Sequence, residues 1–452
     1  MTQGGALAEG RPSGGQSRIG RAEWRTIVLS SLGGALEFYD FVIYSTFAQY
    51  IGDAFFAPTK SPLVGLMLTY SVFALGYVPR LMGGVIFSHF GDKYGRRRVF
   101  IFSILIMSSA TLALGLLPGY AQWGVWATAG VIALRLIQGF SLGGELPGAI
   151  TYVVETAPRR AGFSSGFIFF CVNTGVALAS AVGYAVVKLL TPAEVALWGW
   201  RIGFLFGGLL GLLSFWLRLS LSETEEFKKL RHTTSKQPFF ELMRTAPAAT
   251  VFAIAAMVAT AGFNGLLFAM PTFMQRVMHR TYLEGIAAQN IGLLVLSFGM
   301  LLTAWLSDRI PKRWILGLGS LLLAVFCFPF FDAAAGNTVR LIPIFIGAGL
   351  AASLCNGPMA GIVADLFPTR IRFSGVAVSF NLAFSLFSGT APLIATLLVA
   401  STGSPTGPAY FMLGCGLITF IAMFFIRRHE GRILGEQAVP APSAPAPSFP
   451  AQ

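Results

Sequence analysis

Two acids, Glu37 and Asp40, stand three residues apart in a run, 26–50, that carries no other charge. An acid at the centre of a membrane helix costs about 2.5–3.5 kcal/mol on insertion scales, so the pair calls for a chemical reason. Residues three apart on a helix are neighbours, and Tyr44 continues the same face. A second set lies at 135–145, where Arg135, Gln138, Leu142 and Glu145 follow i, i+3, i+7 and i+10, one helical stripe. An arginine at that depth needs an acidic partner, and Asp40, Glu37 and Glu145 are the candidates. An acid that alternates between an apolar interior and the company of an arginine takes up and releases a proton. We therefore read Glu37, Asp40, Arg135 and Glu145 as a proton-coupling group. The competing reading is that fixed ion pairs hold helices together.

Further polar residues sit in apolar runs. Arg80 and Arg201 carry the planar fork that suits a carboxylate, and either is a candidate substrate anchor, with Tyr44 and Gln138 nearby on the stripes just described. For Arg201, beside Trp198 and Trp200, snorkelling to the membrane surface is the alternative. The second half has charge only at the ends of its apolar runs and offers amides in or beside them, such as Asn264, Gln275, Asn356 and Asn381. Asn356 and Asn381 are candidate substrate contacts, against a role in helix–helix hydrogen bonding. The four cysteines stand singly, so no disulfide framework, zinc site or other cofactor is expected. The stretch "GFSLG" (139–143) fits a nucleophile elbow, but that motif needs a strand-to-helix turn and here lies in an apolar helix. No enzyme chemistry is expected.

These residues need elements to hold them. The 452-residue chain is 55% hydrophobic and 11% charged, against roughly 25% charged in soluble domains. Twelve apolar runs are long enough to cross a bilayer: 26–50, 63–90, 99–117, 123–152, 163–188, 198–218, 247–274, 286–307, 314–332, 340–363, 373–400 and 408–427. With the N-terminus in the cytoplasm, 24 of the 32 Lys and Arg fall on the cytoplasmic side, 5 fall opposite and 3 lie in or beside spans. This is the positive-inside pattern, and it accounts for the net charge of +13 without nucleic acid. Residues 1–22 lack an apolar stretch, and 429–452 are Pro- and Ala-rich; both are expected to be disordered and cytoplasmic.

The chain repeats itself. "FGDKYGRRR" (90–98) matches "LSDRIPKR" (306–313) at an offset of 216, pairing Asp92 with Asp308. "ETAPRRAGFS" (155–164) matches "DLFPTRIRFS" (365–374) at an offset of 210, pairing Glu155 with Asp365 and Arg160 with Arg370. Both matched pairs lie on one membrane face, so the repeats are parallel. The expected fold is all-α: two parallel six-helix bundles, 23–218 and 247–428, joined by a charged linker, 219–246. Two such halves with a site between them are a transporter architecture. Gly91 and Gly95 permit a tight turn, and Asp92 is placed to accept hydrogen bonds from helix N-termini. Gly91, Asp92, Gly95, Arg96, Asp308, Asp365 and Arg370 are thus candidate gating residues at the cytoplasmic face.

"GDKYGRRR" (91–98) resembles the loop signature of the major facilitator superfamily, with Ser88 where a glycine is expected, and "RLIQGFSLGGE" (135–145) resembles its span-four Arg-x-x-Gln-Gly motif. "LEFYDF" (36–41), "GGE" (143–145), "WGWR" (198–201) and "DLFPTRIRFSG" (365–375) are similar to the metabolite:proton symporter family within it. "PRLMGG" (79–84) reverses the family's usual Arg-then-Pro order at Arg80. The resemblance covers about 26–427. It implies a monomeric multi-pass protein of the bacterial inner membrane that imports a small organic acid or zwitterion, such as citrate, 2-oxoglutarate, shikimate, proline or betaine, together with protons. The alternatives are an exporter or uniporter on the same fold, or a membrane sensor without transport.

Overall fold

The computed structural model describes residues 21–57, 62–94, 96–156, 160–219, 238–336 and 341–426. Of the candidate residues, the side chains of Glu37, Asp92, Arg96, Glu145 and Arg370, the surroundings of Gly91, and all of Gly95 lie outside the described set. So do the terminal segments and most of the linker.

Among the described residues every regular element is helical. Ten helices are long and apolar enough to cross a membrane, and Ile101–Leu116 is a shorter apolar one. The acid-bearing helix Arg21–Thr46 completes the set. In chain order the crossings are α1 (Arg21–Thr46, extended by Ala48–Phe55), α2 (Pro62–Leu75 and Val78–Tyr94), α3 (Arg96–Leu116), α4 (Val125–Leu142 and Glu145–Thr156), α5 (Ala161–Leu189) and α6 (Pro192–Glu194, then Val195–Gly199 and Trp200–Leu219). The second half holds α7 (Pro247–Arg276), α8 (Tyr282–Ser307), α9 (Lys312–Ala335), α10 (Leu341–Asp365), α11 (Thr369–Ala383, Phe384–Ser388 and Ala391–Thr402) and α12 (Pro408–Ile426).

The duplication read from the loops is visible in the packing. Within the first half α3 packs on α6, α2 on α4 and α1 on α5; within the second, α9 packs on α12, α8 on α10 and α7 on α11. Each pair maps onto its counterpart six helices later. Between the halves α5 meets α8 and α2 meets α11, which is the same exchange made twice.

Several spans differ from the lengths expected from hydropathy, each for a local reason. The second crossing does not turn at Gly91 but stays helical to Tyr94. It breaks instead at Gly76–Tyr77, where α4 comes closest: a Cβ on Gly139 would overlap the Gly76 carbonyl, and one on Gly143 would overlap the Arg80 carbonyl. The small-residue pair of α4 therefore allows backbone-to-backbone contact with α2. The eighth crossing starts at Tyr282 rather than 286, because Thr281 and Glu284 form a capping box. Crossings six and eleven each contain a π-helical turn, at Val195–Gly199 and Phe384–Ser388, a deviation that recurs at functional sites.

Candidate functional site

Asp40 lies on α1, 1% exposed, facing α6. Gly207 and Gly211 make room for it: a Cβ on Gly207 would stand 2.6 Å from Asp40 Oδ1, and one on Gly211 would stand 3.2 Å from Oδ2. The neighbouring Tyr39 hydroxyl donates to the Gly203 carbonyl at 2.9 Å and pins α1 on α6. Asp40 Oδ1 has no hydrogen-bond partner among the described residues. No ion pair joins Asp40 to Arg135. An ionised carboxylate in such a slot carries a large desolvation cost, whereas a carboxylic acid does not.

Arg135 occupies a separate cluster. Its Nη1 donates to Gln138 Oε1 at 3.0 Å, and Gln138 Nε2 donates to Thr111 Oγ1 at 2.8 Å, which ties α4 to α3. Its guanidinium stacks 4.3 Å from the Tyr44 ring centroid and 5.2 Å from that of Phe73. Tyr44 in turn donates to the Thr69 carbonyl at 3.3 Å. The structure thus brings Tyr44, Arg135 and Gln138 together, while Asp40, one turn before Tyr44 on α1, packs against Gly207 and Gly211 of α6.

Arg80, also 1% exposed, lies where the halves meet. Its Nε donates to Asn381 Oδ1 on α11 at 2.8 Å, and Asn381 Nδ2 donates to the Gly143 carbonyl on α4 at 2.8 Å. The guanidinium sits among the rings of Phe38, Tyr77, Phe380 and Phe384, at 5.9, 5.9, 5.1 and 5.8 Å from their centroids. Phe384 opens the π-helical turn of α11, and Ser385 within that turn donates to the Tyr77 carbonyl at 2.9 Å. Sequence reasoning found Arg80 and Asn381 but not this cage. The i, i+4 pair Phe380 and Phe384 was its only local signal.

The other two candidates sit elsewhere. Arg201 Nη1 donates to the carbonyls of Gly115 and Leu117, at 2.8 and 2.7 Å, and its guanidinium covers the Trp200 ring at 4.5 Å. It closes the end of α3 and does not join Arg80. Asn356 accepts from Asn264 Nδ2 at 3.3 Å and donates to the Ala352 carbonyl, so it ties α10 to α7 within one half.

Two seals bracket these clusters. On one face Asp308, at the end of α8, accepts from the Gly162 and Phe163 amides at 2.9 and 3.1 Å, capping α5 of the opposite half. Burial pushes its carboxyl above the ordinary range, against the opposing pull of those two amides, Lys312 and Arg160. Nearby, Lys312 Nζ pairs with Asp365 Oδ2 at 2.6 Å. On the other face Ser45 donates to the Phe268 carbonyl at 3.1 Å, Tyr70 to that of Ala269 at 3.4 Å, and Tyr282 of α8 to that of Thr46. Arg276 pairs with Asp53 at 3.2 Å across the same seam. The halves are therefore in contact at both ends.

Comparison with known proteins places this geometry. The sequence matches the family described as Major Facilitator Superfamily over residues 30–383. It is 33% identical over 411 residues to a putative proline/betaine transporter of Staphylococcus aureus, covering 89% of this chain and 88% of that one. It is 30% identical over 420 residues to a citrate-proton symporter of Klebsiella pneumoniae, covering 92% and 93%, and 33% identical over 421 residues to a proline/betaine transporter of Escherichia coli, covering 88% and 83%. Among solved structures, the proton:xylose symporter XylE bound to 6-bromo-6-deoxy-D-glucose superposes with a TM-score of 0.73 at 16% identity, over 90% of this chain and 95% of that one.

Proposed function

We infer, from the premise that this chain belongs to the major facilitator superfamily, that it is a secondary transporter that imports a small monocarboxylate or zwitterion together with protons. It is a multi-pass membrane protein. The charge bias of its loops supports cytoplasmic termini in a bacterial inner membrane, with bundles 23–218 and 247–428 moving about the linker 219–246 as a monomer.

The observation that carries the reading is Asp40: a carboxyl 1% exposed, in a glycine-lined slot, with Oδ1 unpartnered. A group so held suits a proton carrier. Arg80 supplies the complementary feature. A substrate carboxylate that took its guanidinium would displace Asn381 Oδ1 and free Asn381 from the Gly143 carbonyl. Binding would thereby loosen the hydrogen bonds that Asn381 of α11 makes to α2 and α4 across the halves, and a change of access requires such contacts to give way. One anchoring arginine at the seam, with Arg201 engaged at α3, favours one carboxylate over three. The ring cage suits a substrate that also carries a cationic nitrogen. Relatives of this chain are named for proline and betaine, and both solutes fit that description.

The test uses the protein in liposomes that enclose a pH-sensitive dye, with proline, betaine or citrate added outside. Proline or betaine should acidify the interior, and Asp40→Asn should abolish acidification while leaving solute binding measurable. Solute uptake without proton movement, the same in wild type and in Asp40→Asn, would make the chain a uniporter.

A further inference from the structure

The largely apolar helix α3 buries two hydroxyls one turn apart, Ser108 and Thr111. Each directs its own hydrogen to the carbonyl four residues back, Ser108 to Ile104 at 2.7 Å and Thr111 to Met107 at 3.0 Å. A hydroxyl so engaged still offers lone pairs as acceptors. Thr111 uses one of them, because Gln138 Nε2 of the Arg135 cluster donates to its Oγ1 at 2.8 Å. Ser108 stands beside the other cluster. A Cβ on Gly211 would overlap Ser108 Oγ and would stand 3.2 Å from Asp40 Oδ2. The two oxygens therefore border the same small gap, where α3 and α6 both touch α1. Glycine at 211 leaves them facing each other, and any side chain there would come between them.

We propose that Ser108 is the positioning residue of Asp40, a hydroxyl that serves the carboxyl in both of its protonation states. The proposal rests on the reading of Asp40 as the proton carrier. The protonated acid donates its O–H to a lone pair of Ser108, as Gln138 donates to Thr111. When Asp40 gives up its proton, Ser108 turns about its side-chain bond, releases the Ile104 carbonyl and donates to Oδ2. Ile104 loses little, because a helix carbonyl keeps its backbone partner four residues on. A donor on the carboxylate favours the ionised form and so lowers the cost of charge in an apolar slot. Ser108 thereby gives Asp40 what Arg135, held at Gln138, does not. Tyr39, the titratable neighbour on α1, is committed to the Gly203 carbonyl and does not compete.

The experiment measures two modes of proline and betaine transport in proteoliposomes. Net uptake driven by a pH difference requires Asp40 to release its proton in every cycle. Exchange of labelled for unlabelled solute at equal pH lets the carrier return loaded, with the proton in place. Loss of a hydrogen bond to a charged group is worth about tenfold. Ser108→Ala should therefore slow net uptake about tenfold and leave both exchange and the KM for the solute as in wild type. Ser109→Ala, at an exposed neighbour, should change neither mode. An equal loss in both modes would make Ser108 a packing residue, and unchanged net uptake would give it no part; either overturns the proposal. A second measurement needs no transport. Infrared spectra of the purified protein, taken as pH falls, should show a protonated carboxyl band that Asp40→Asn removes. Ser108→Ala should shift that band to higher frequency, because the acid has lost its acceptor. An unshifted band overturns the proposal, and a wild type without the band overturns the Asp40 reading with it. If wild type transports neither solute, the symport reading fails by itself and the infrared shift decides Ser108.

Discussion

Arg80 shows how much one side chain is asked to do. Its Nε holds Asn381 of the other half, and its flat face rests among four rings. A lysine would keep the charge but lose both the planar fork and the stacking. We expect Arg80→Lys to raise the KM for a carboxylate solute by tenfold or more, about 1.4 kcal/mol, with the protein still folded by thermal unfolding. A KM equal to wild type would mean that Arg80 serves only to join the halves. Asp40 and Arg80 were both legible from sequence, because a charge inside an apolar run is conspicuous whatever surrounds it. Their partners were not. The expectation that Asp40 pairs with Arg135 came from two buried charges of opposite sign, but the slot beside Asp40 is made by Gly207 and Gly211. Glycines announce a slot only once the facing helix is known.

At the scale of elements, spans announce themselves by length and composition, and their interruptions do not. The break in α2 at Gly76 follows from α4 pressing its glycines onto that backbone. The cap that Asp308 places on α5 is a second inter-element effect, and it titrates. Its carboxyl is raised in the closed contact by burial, so closure favours the protonated acid. This contribution to closure is fully present below the ordinary carboxylate range of about 3.9 and is lost as pH rises through the raised value. Thiol labelling of a cysteine introduced at Ser307, taken relative to that of a free thiol at the same pH so that the thiolate's own titration cancels, should therefore quicken as pH rises through that window, and Asp308→Asn should flatten the dependence. A slope that survives Asp308→Asn would assign it to another group. The repeat match of Asp308 with Asp92 pointed to this role from the sequence, because a short acid beside a helix start can cap it.

For the whole molecule, the two-fold relation between halves explains why α5 meets α8 while α2 meets α11. Alternating access then requires the seal of Ser45 and Tyr70 on the Phe268 and Ala269 carbonyls to open as the Asp308 seal holds. Those carbonyls lie in the turn before Pro271, where the proline removes one helical hydrogen bond. A short bifunctional thiol reagent that joins Ser45→Cys to Phe268→Cys should stop transport, and cleavage of the linker should restore it. Transport that continues through the cross-link would show that this seam does not open. The sequence by itself determined the class of molecule, the crossings, the duplication and the residues too costly to be idle, because each of these is written in local hydropathy, charge and self-similarity. Only the tertiary structure decided that Arg80 meets Asn381 across 301 residues and that Asp40 and Arg135 occupy separate clusters. The physical reason is that inter-helix contacts inside a membrane depend on close backbone approach and on single hydrogen bonds, and neither leaves a periodic trace along the chain.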